Sequence, residues 1–171
     1  MNKSKRWICF LIQMISAATL VLLDQWFKKL AVEHLMGKED IILIKNFIGL
    51  SYAENTGAAF SIFSDSTMFL SIVTLIIIVA GIIYLMLGKL EGKLMNVCAV
   101  LILAGGAGNL VDRFAQGYVV DYIKTLFMDF PVFNFADILV VVGVFVVCGY
   151  LIYDIIREEK LKKREKTDGN S

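Results

Sequence analysis

The sequence predicts an all-α integral membrane protein, with four transmembrane helices, a small extracytoplasmic β-sheet and a surface loop. Hydrophobic residues make up 58% of the 171 residues, and only one residue is proline. A soluble domain of this length could not bury that much apolar surface in one core. The sequence also contains four apolar runs of 17 to 22 residues, and about 20 helical residues are needed to cross the hydrocarbon of a bilayer.

We expect one membrane domain over residues 1–156, followed by a charged cytoplasmic tail over residues 157–171. The four spans cover approximately residues 7–25, 67–87, 94–113 and 133–155. The first span could instead be a cleaved signal peptide because basic residues precede it. No clear small-x-small cleavage site follows it, however, and three more spans come after it. The tail is charged and polar, so we expect a frayed helix end or a disordered segment.

The distribution of Lys and Arg orients these spans, since short cytoplasmic segments carry an excess of positive charge. With both termini in the cytoplasm, the internal segments hold eleven Lys and Arg residues and the external segments hold six. The external segments are then loops 28–66 and 114–132, and the count of six includes Arg113 at the external end of the third span. Within the first loop, residues 41–44 and 47–53 have the composition of short strands, which predicts a small sheet on the membrane surface.

Polar residues gather at the external ends of the spans. A charge deep in hydrocarbon costs on the order of 3 kcal/mol, so such residues usually mark a functional site. The up-and-down topology brings the end of span one, the end of span three and the start of span four to the same side. Eight polar residues lie there or in the adjoining loops: Asp24, Asn55, Asn109, Asp112, Arg113, Asp121, Asn134 and Asp137. We expect them to converge on one site near the outer face of the membrane.

Several of these residues also have a simpler structural interpretation. Asp24 and Lys28 are spaced i, i+4 and could form only an ion pair at the membrane interface. Asp112 lies beside an arginine that would keep it ionised, which favours a structural role. The amides of Asn109 and Asn134 could be hydrogen-bond links between helices.

Two aspartates in a partly dry site have a recognised chemical use. Like charges disfavour double ionisation, so a neighbouring pair shares one proton. The ionised member can accept a proton from water, while the protonated member polarises a carbonyl group and later donates to the leaving amine. Asp137 cannot reach water by snorkelling from inside an apolar span. The residues alone leave open which two of Asp24, Asp112, Asp121 and Asp137 form such a pair.

Other kinds of site find little support. Cys9, Cys98 and Cys148 lie in separate apolar runs, which argues against disulfides and against a zinc site. No P-loop and no dinucleotide-binding glycine pattern occurs, so we expect no cofactor and no metal. A net charge of +1 gives no reason to expect a nucleic-acid partner.

Two alternatives to an enzyme are a small transporter and a membrane scaffold. An ion-coupled transporter also carries carboxylates within the membrane. It needs polar residues through the full depth, however, and no inverted repeat or broken helix is evident. A non-catalytic scaffold would leave the clustered aspartates unexplained.

The residues at these positions resemble the lipoprotein signal peptidase (signal peptidase II) family of aspartic peptidases. The resemblance covers roughly residues 20–145 and is carried by five blocks in the family's order. They are DQWFK at 24–28, ENTGAAFS at 54–61, AGGAGNLVDR at 104–113, VVDYI at 119–123 and FNFAD at 133–137. The sequence departs from the family pattern at two places. Small residues replace other small residues around Gly105, and Tyr122 stands where phenylalanine is usual, so both changes are mild.

The resemblance implies a membrane endopeptidase that cleaves the signal peptide of bacterial prolipoproteins just before a diacylglyceryl-modified cysteine. It implies that Asp121 and Asp137 form the catalytic pair. Six residues would position the pair and the substrate: Asp24, Asn55, Asn109, Asp112, Arg113 and Asn134. It also implies a bundle framed by the sheet and an amphipathic surface helix, in the bacterial cell membrane, with lipid and the modified prolipoprotein as partners. We expect a monomer without a cofactor.

Overall fold

Four long helices build the molecule. The structure, a computed structural model, describes residues 3–57, 67–88 and 92–168, with side chains up to residue 161. In these ranges the helices are α1 (Lys3–Leu35), α2 (Thr67–Met86), α3 (Lys93–Gln116) and α4 (Phe135–Asp168). Each of them is long and apolar enough to cross a membrane. The predicted fold class is therefore confirmed.

Helix α3 lies at the centre of the bundle and contacts the other three helices. In its most apolar 18-residue window 44% of the residues are buried, compared with 6–17% in the other helices, which leaves their outer surfaces for lipid. Glycine allows α3 to approach α4 closely. A Cβ atom at Gly105 would collide with the carbonyl oxygen of Ala136 and with the side chain of Val140. The small residues of this segment thus act in helix packing.

A three-stranded antiparallel sheet caps one end of the bundle, which we call the sheet end. Its strands are β1 (Ile41–Ile44), β2 (Ile48–Asn55) and β3 (Val119–Thr125), in the order β1-β2-β3. Strands β1 and β2 lie where the sequence predicts two short strands. Strand β3 is not predicted, although its Val, Tyr and Ile residues favour extended backbone. The pairing of β2 with β3 places Ala53 opposite Asp121.

Helix α1 is longer than the predicted first span, which ends near residue 25. It continues to Leu35, so the first residues of the predicted external loop 28–66 are helical. The reason is packing against the sheet, because Ala31 and Leu35 form a buried apolar cluster with Val120 and Tyr122 of β3. This cluster holds β3 against the end of α1. It therefore sets the position of Asp121, which lies between Val120 and Tyr122.

The charged segment after the fourth span is also helical. Helix α4 continues to Asp168, so residues 157–168 form regular helix rather than the frayed or disordered end that the sequence predicts; Glu, Lys and Arg are good helix formers. Residues 58–61 of the ENTGAAFS block lie outside the described part of the chain. All helices within the described ranges are the four spans, so the implied surface helix is not among them.

Candidate active site

Asp121 lies in the middle of β3, where alternation puts its side chain on the face opposite to Val120 and Tyr122. The residue is only 2% exposed. Its Oδ1 accepts a hydrogen bond from Nδ2 of Asn134 at 2.6 Å, and its Oδ2 accepts one from Nδ2 of Asn55 at 2.9 Å. Both oxygens of this buried carboxyl group therefore have an amide donor.

Asp137 lies in the first turn of α4, three residues after Asn134. Its Oδ2 accepts the backbone N–H of Asn134 at 3.0 Å, and the side-chain oxygen of Asn134 accepts the backbone N–H of Asp137 at 3.0 Å. This reciprocal arrangement is a capping box, which satisfies donors at the start of a helix. The Oδ1 atom of Asp137 accepts a hydrogen bond from Nδ2 of Asn109 on α3 at 2.8 Å.

Asn134 joins the two aspartates. It is completely buried, and its amide nitrogen donates to Asp121 and, at 3.0 Å, to Oδ1 of Asn109. A strand residue, a helix-start residue and a residue of α3 are thus held around one side chain. The two carboxyl groups face the same cavity, which both residues line.

Lys28 forms the centre of a second polar cluster, which Asn109 connects to the candidate pair. The ammonium group contacts Oδ2 of Asp24 at 2.8 Å and Oδ2 of Asp112 at 3.0 Å, and it donates to Oδ1 of Asn109 at 2.8 Å. Lys28 is 3% exposed, so the predicted ion pair with Asp24 exists but is buried. The ionic partner of Asp112 is Lys28 rather than the adjacent arginine that the sequence favours, because α1 packs against this face of α3.

The carboxylates of this second cluster also hold neighbouring backbone. Oδ1 of Asp24 accepts the N–H of Ala136 at the start of α4 at 3.0 Å. Oδ2 of Asp112 accepts the N–H of Val120 at 3.1 Å, next to Asp121. Each carboxylate therefore anchors the backbone beside one member of the candidate pair, which agrees with a supporting role.

Gln25 is a residue of this site that the sequence does not single out. Its amide nitrogen donates to Oδ1 of Asp112 at 2.8 Å and to the carbonyl oxygen of Gly108 at 3.1 Å. Gln25 belongs to the DQWFK block, as does Lys28. The spacing of four residues predicts the pair of Lys28 with Asp24, whereas the contacts of Lys28 with Asp112 and Asn109 are not predicted.

Arg113 lines the cavity from α3. Its Nη2 donates to the carbonyl oxygen of Gly57 at 3.3 Å, and the N–H of Gly57 donates to Oδ1 of Asn55 at 3.0 Å. Within the described part of the chain, its buried Nε has no hydrogen-bond partner. The guanidinium group therefore ties the end of β2 to α3 and presents an unsatisfied donor. All eight predicted site residues are thus connected in one network.

The electrostatics of the site bring the pKa of one carboxyl group close to neutral pH. Burial raises the pKa of Asp121, and the neighbouring charge of Asp137 raises it further, to about 7. The amides of Asn55 and Asn134 act in the opposite direction, because they stabilise the ionised form. A carboxyl group with such a pKa can exchange a proton with water or with a substrate carbonyl at neutral pH.

The cavity beside the pair is open and mostly apolar. Its volume is about 750 Å³. The polar groups occupy one end, while apolar side chains from α2, α3 and α4 line the remainder: Ile77, Ile78, Ile102, Leu103, Val140, Val141, Val142 and Val144. In the described ranges no three His, Cys, Asp or Glu residues are grouped to hold a metal ion. The site thus combines two carboxyl groups with room for an apolar ligand.

Comparisons with known proteins identify the same family that the five sequence blocks resemble. The model of the family described as signal peptidase (SPase) II matches residues 16–153. The chain belongs to the signal peptidase II family. It is accordingly a membrane enzyme, an aspartic peptidase, and neither the transporter nor the scaffold that were the alternatives.

Relatives and solved structures similar to this chain cover most of its length. The lipoprotein signal peptidase of Clostridium tetani is 40% identical over 148 residues, which is 85% of this chain and 92% of the relative. That of Enterococcus faecalis is 39% identical over 160 residues, covering 93% and 96%. A bacterial membrane enzyme solved by the in meso method is 31% identical, with a TM-score of 0.76, and covers 84% of this signal peptidase II chain and 89% of its own.

Proposed function

We propose that this chain removes the signal peptide from diacylglyceryl-modified bacterial prolipoproteins, cutting before the lipidated cysteine with a water molecule activated by Asp121 and Asp137. One observation carries the proposal. The two carboxyl groups come from a strand and from a helix start, meet around the amide of Asn134, and face one apolar cavity. A peptide bond placed at this end of the cavity lies beside both groups.

The reaction needs one ionised and one protonated carboxyl group. The ionised group takes a proton from water, whose oxygen attacks the scissile carbonyl carbon, and the protonated group donates to the carbonyl oxygen. The pKa of about 7 at Asp121 supports such a division at neutral pH. Because the two groups are neighbours, their titration belongs to the pair.

The surrounding residues position the pair and the substrate. Asn55, Asn109 and Asn134 hold the carboxyl oxygens, and Asp24 and Asp112 hold the backbone of α4 and β3. Arg113 lines the same cavity, and we assign its guanidinium group to a backbone carbonyl of the substrate. Replacement of Asp121 or Asp137 then removes a proton-transfer group, while replacement of a supporting residue changes the position of the pair or of the substrate.

The apolar part of the cavity supports a lipid-modified substrate. A diacylglyceryl group brings two acyl chains, and each buried methylene contributes about 0.8 kcal/mol of hydrophobic attachment. The side chains that α2, α3 and α4 turn toward the cavity offer the matching surface. An unmodified cysteine would leave that surface without a ligand.

The location we propose is the bacterial cell membrane, with both termini in the cytoplasm and the active site near the outer face. The excess of Lys and Arg at the end opposite the sheet supports this orientation. We propose that the enzyme is a monomer, because the candidate pair and its supports all come from one chain.

The lipid requirement can be tested with matched substrates. The purified chain in lipid is incubated with a diacylglyceryl-modified prolipoprotein and with the same precursor left unmodified, and the products are identified by mass spectrometry. We expect cleavage before the modified cysteine, with kcat/KM for the unmodified precursor lower by on the order of 100-fold or more. Equal kcat/KM for both substrates would contradict the proposal.

A further inference from the structure

Lys28 uses all three of its N–H bonds inside the protein. They point to Asp24, Asp112 and Asn109 at 2.8, 3.0 and 2.8 Å. An ammonium group can only donate, so each of the three oxygens that it contacts is fixed as an acceptor. Two of these oxygens belong to carboxylates, and the third belongs to a side-chain amide that reaches the candidate catalytic pair.

The contact with Lys28 decides how the amide of Asn109 is turned. Oδ1 of Asn109 receives Lys28 and also, at 3.0 Å, the amide nitrogen of Asn134. If the Asn109 amide were rotated by half a turn, its NH₂ group would face two donors, and two buried hydrogen bonds would be lost. The NH₂ group of Asn109 therefore points to Oδ1 of Asp137, at 2.8 Å.

Asp137 consequently faces a fixed N–H donor at each oxygen. One donor is the amide of Asn109, and the other is the backbone N–H of Asn134 at 3.0 Å. The residue also lies in the first turn of α4, where the helix dipole favours negative charge. The two donors and the helix dipole stabilise the ionised form of this carboxyl group.

Asp121 lacks two of these features. It lies in a strand, so no helix terminus supports its charge, and both of its donors are side-chain amides, those of Asn55 and Asn134. With a carboxylate at Asp137 beside it, the Asp121 carboxyl group is the one that binds the shared proton. Four charged residues face the pair from the packed helices: Lys28 and Asp24 from α1, and Asp112 and Arg113 from α3.

We propose that Lys28 is a positioning residue that acts through Asn109 to keep Asp137 as the carboxylate that activates water, which leaves the proton of the pair on Asp121. This inference rests on the proposed function. Asp137 takes a proton from water as the C–O bond forms, and Asp121 gives its proton to the carbonyl oxygen. The C–N bond then breaks as Asp137 returns its proton to the amine, and the hydroxyl proton returns to Asp121.

Infrared spectroscopy can locate the proton directly. Spectra of the lipid-embedded protein are recorded across neutral pH for the wild type, Asp121→Asn and Asp137→Asn. We expect the carbonyl stretch of a protonated carboxyl group that titrates in this range to vanish in Asp121→Asn and to persist, with a midpoint at lower pH, in Asp137→Asn. The opposite pattern would overturn the inference.

The role of Lys28 is tested by pH profiles of kcat/KM for Lys28→Met and Lys28→Arg. We expect Lys28→Met to move the acid limb of the profile to higher pH and to lower kcat by a larger factor than it changes KM. In Lys28→Arg we expect the acid limb to lie close to its wild-type pH. An acid limb that stays in place while activity falls would show a merely structural role.

A second variant covers the case in which Lys28→Met does not fold. Asn109→Asp keeps an acceptor for Lys28 but turns an acceptor toward Asp137, so the same shift of the acid limb is expected, and its absence would overturn the inference. Cleavage assays separate the two levels of the account. Full activity in Asp121→Asn and Asp137→Asn would refute the proposed function, whereas two inactive variants with the infrared pattern reversed would refute only the proton assignment.

Discussion

At the scale of single residues, the environment of Asp121 is the clearest result. In sequence the residue lies between Val120 and Tyr122 of the apolar cluster, but its carboxyl group lies on the opposite face of β3, beside Asp137. Burial and the charge of Asp137 raise its pKa to about 7. A free aspartate ionises near pH 3.9. The folded protein therefore binds a proton at this residue over a range of pH in which the unfolded chain does not.

This proton makes stability depend on pH with a definite sign. The stabilisation is complete below the ionisation of the unfolded chain and is lost as pH rises through about 7. Asp121→Asn has no such proton to lose. We therefore expect the Tm of Asp121→Asn, relative to the wild type, to rise between pH 5 and pH 8 in thermal unfolding measured in one detergent.

Asp40→Asn is the matched control for this measurement. A hydrogen bond from Lys124 lowers the pKa of the exposed Asp40 carboxyl group, so that group is ionised in both states above pH 5. The Tm difference between Asp40→Asn and the wild type should stay constant over the same range. A constant difference for Asp121→Asn as well would show that its carboxyl group is not held protonated.

At the scale of elements, the site depends on how closely α3, α4 and β3 approach one another. Helix α4 starts at a capping box formed by Asn134 and Asp137, and its second residue donates its N–H to Asp24. Glycines on α3 permit this approach. At Gly108 a Cβ atom would lie 2.5 Å from Oδ2 of Asp24, so the supporting carboxylate itself occupies the space of the missing side chain.

Two neighbouring glycines of α3 offer a matched pair of variants. A Cβ atom at Gly105 would collide with backbone of α4, whereas one at Gly106 would make ordinary contacts of 3.6–3.7 Å with Thr74 and Ile78. Gly105→Ala should destabilise the fold by roughly 1–3 kcal/mol through overpacking, while Gly106→Ala should leave Tm within a few degrees of the wild type. Equal Tm values for both variants would contradict the packing of α3 on α4.

At the scale of the whole molecule, polar function and positive charge lie at opposite ends of an apolar bundle. The sheet and the carboxyl pair lie at one end. Lys and Arg residues in the first turns of α1 and in the segment after the fourth span lie at the other. By the positive-inside rule, this asymmetry supports the orientation that we propose. In that orientation the active site lies at the depth at which a lipid-anchored substrate presents its modified cysteine.

The orientation can be measured on the charged end of α4. Trypsin cuts after Lys and Arg, which are frequent in residues 157–168. We expect trypsin to shorten the chain at this end in inside-out membrane vesicles and to leave it intact in spheroplasts, as detected by mass spectrometry. Cutting of this segment in intact spheroplasts would reverse the proposed topology.

Much of this architecture could be predicted from the sequence, for physical reasons that differ by element. Apolar runs of span length predicted the four helices, and two short segments of strand composition predicted β1 and β2. The continuation of α1 to Leu35 could not be predicted, because it depends on packing against Val120 and Tyr122. The sequence predicts the pairing of Lys28 with Asp24 but not its contacts with Asp112 and Asn109, which form only when α1 meets α3.

The candidate site shows the same division. Topology alone placed the polar residues at one end, and the motif blocks selected Asp121 and Asp137 among four aspartates. The exchange of partners at Asp112, which pairs with Lys28 and not with Arg113, required the helix packing. The roles of the selected pair remain proposals that a direct measurement can test.

That measurement is the cleavage rate of a diacylglyceryl-modified prolipoprotein by Asp121→Asn, Asp137→Asn and Asp112→Asn, with Asp40→Asn as control. The first two variants should insert and fold normally but lose turnover by on the order of 10²–10⁴-fold or more, because each removes a proton-transfer group. Asp112→Asn should act mainly through folding or positioning, and Asp40→Asn should match the wild type. Retained turnover in Asp121→Asn or Asp137→Asn, with a well-folded but inactive Asp112→Asn, would show that the wrong aspartates have been chosen.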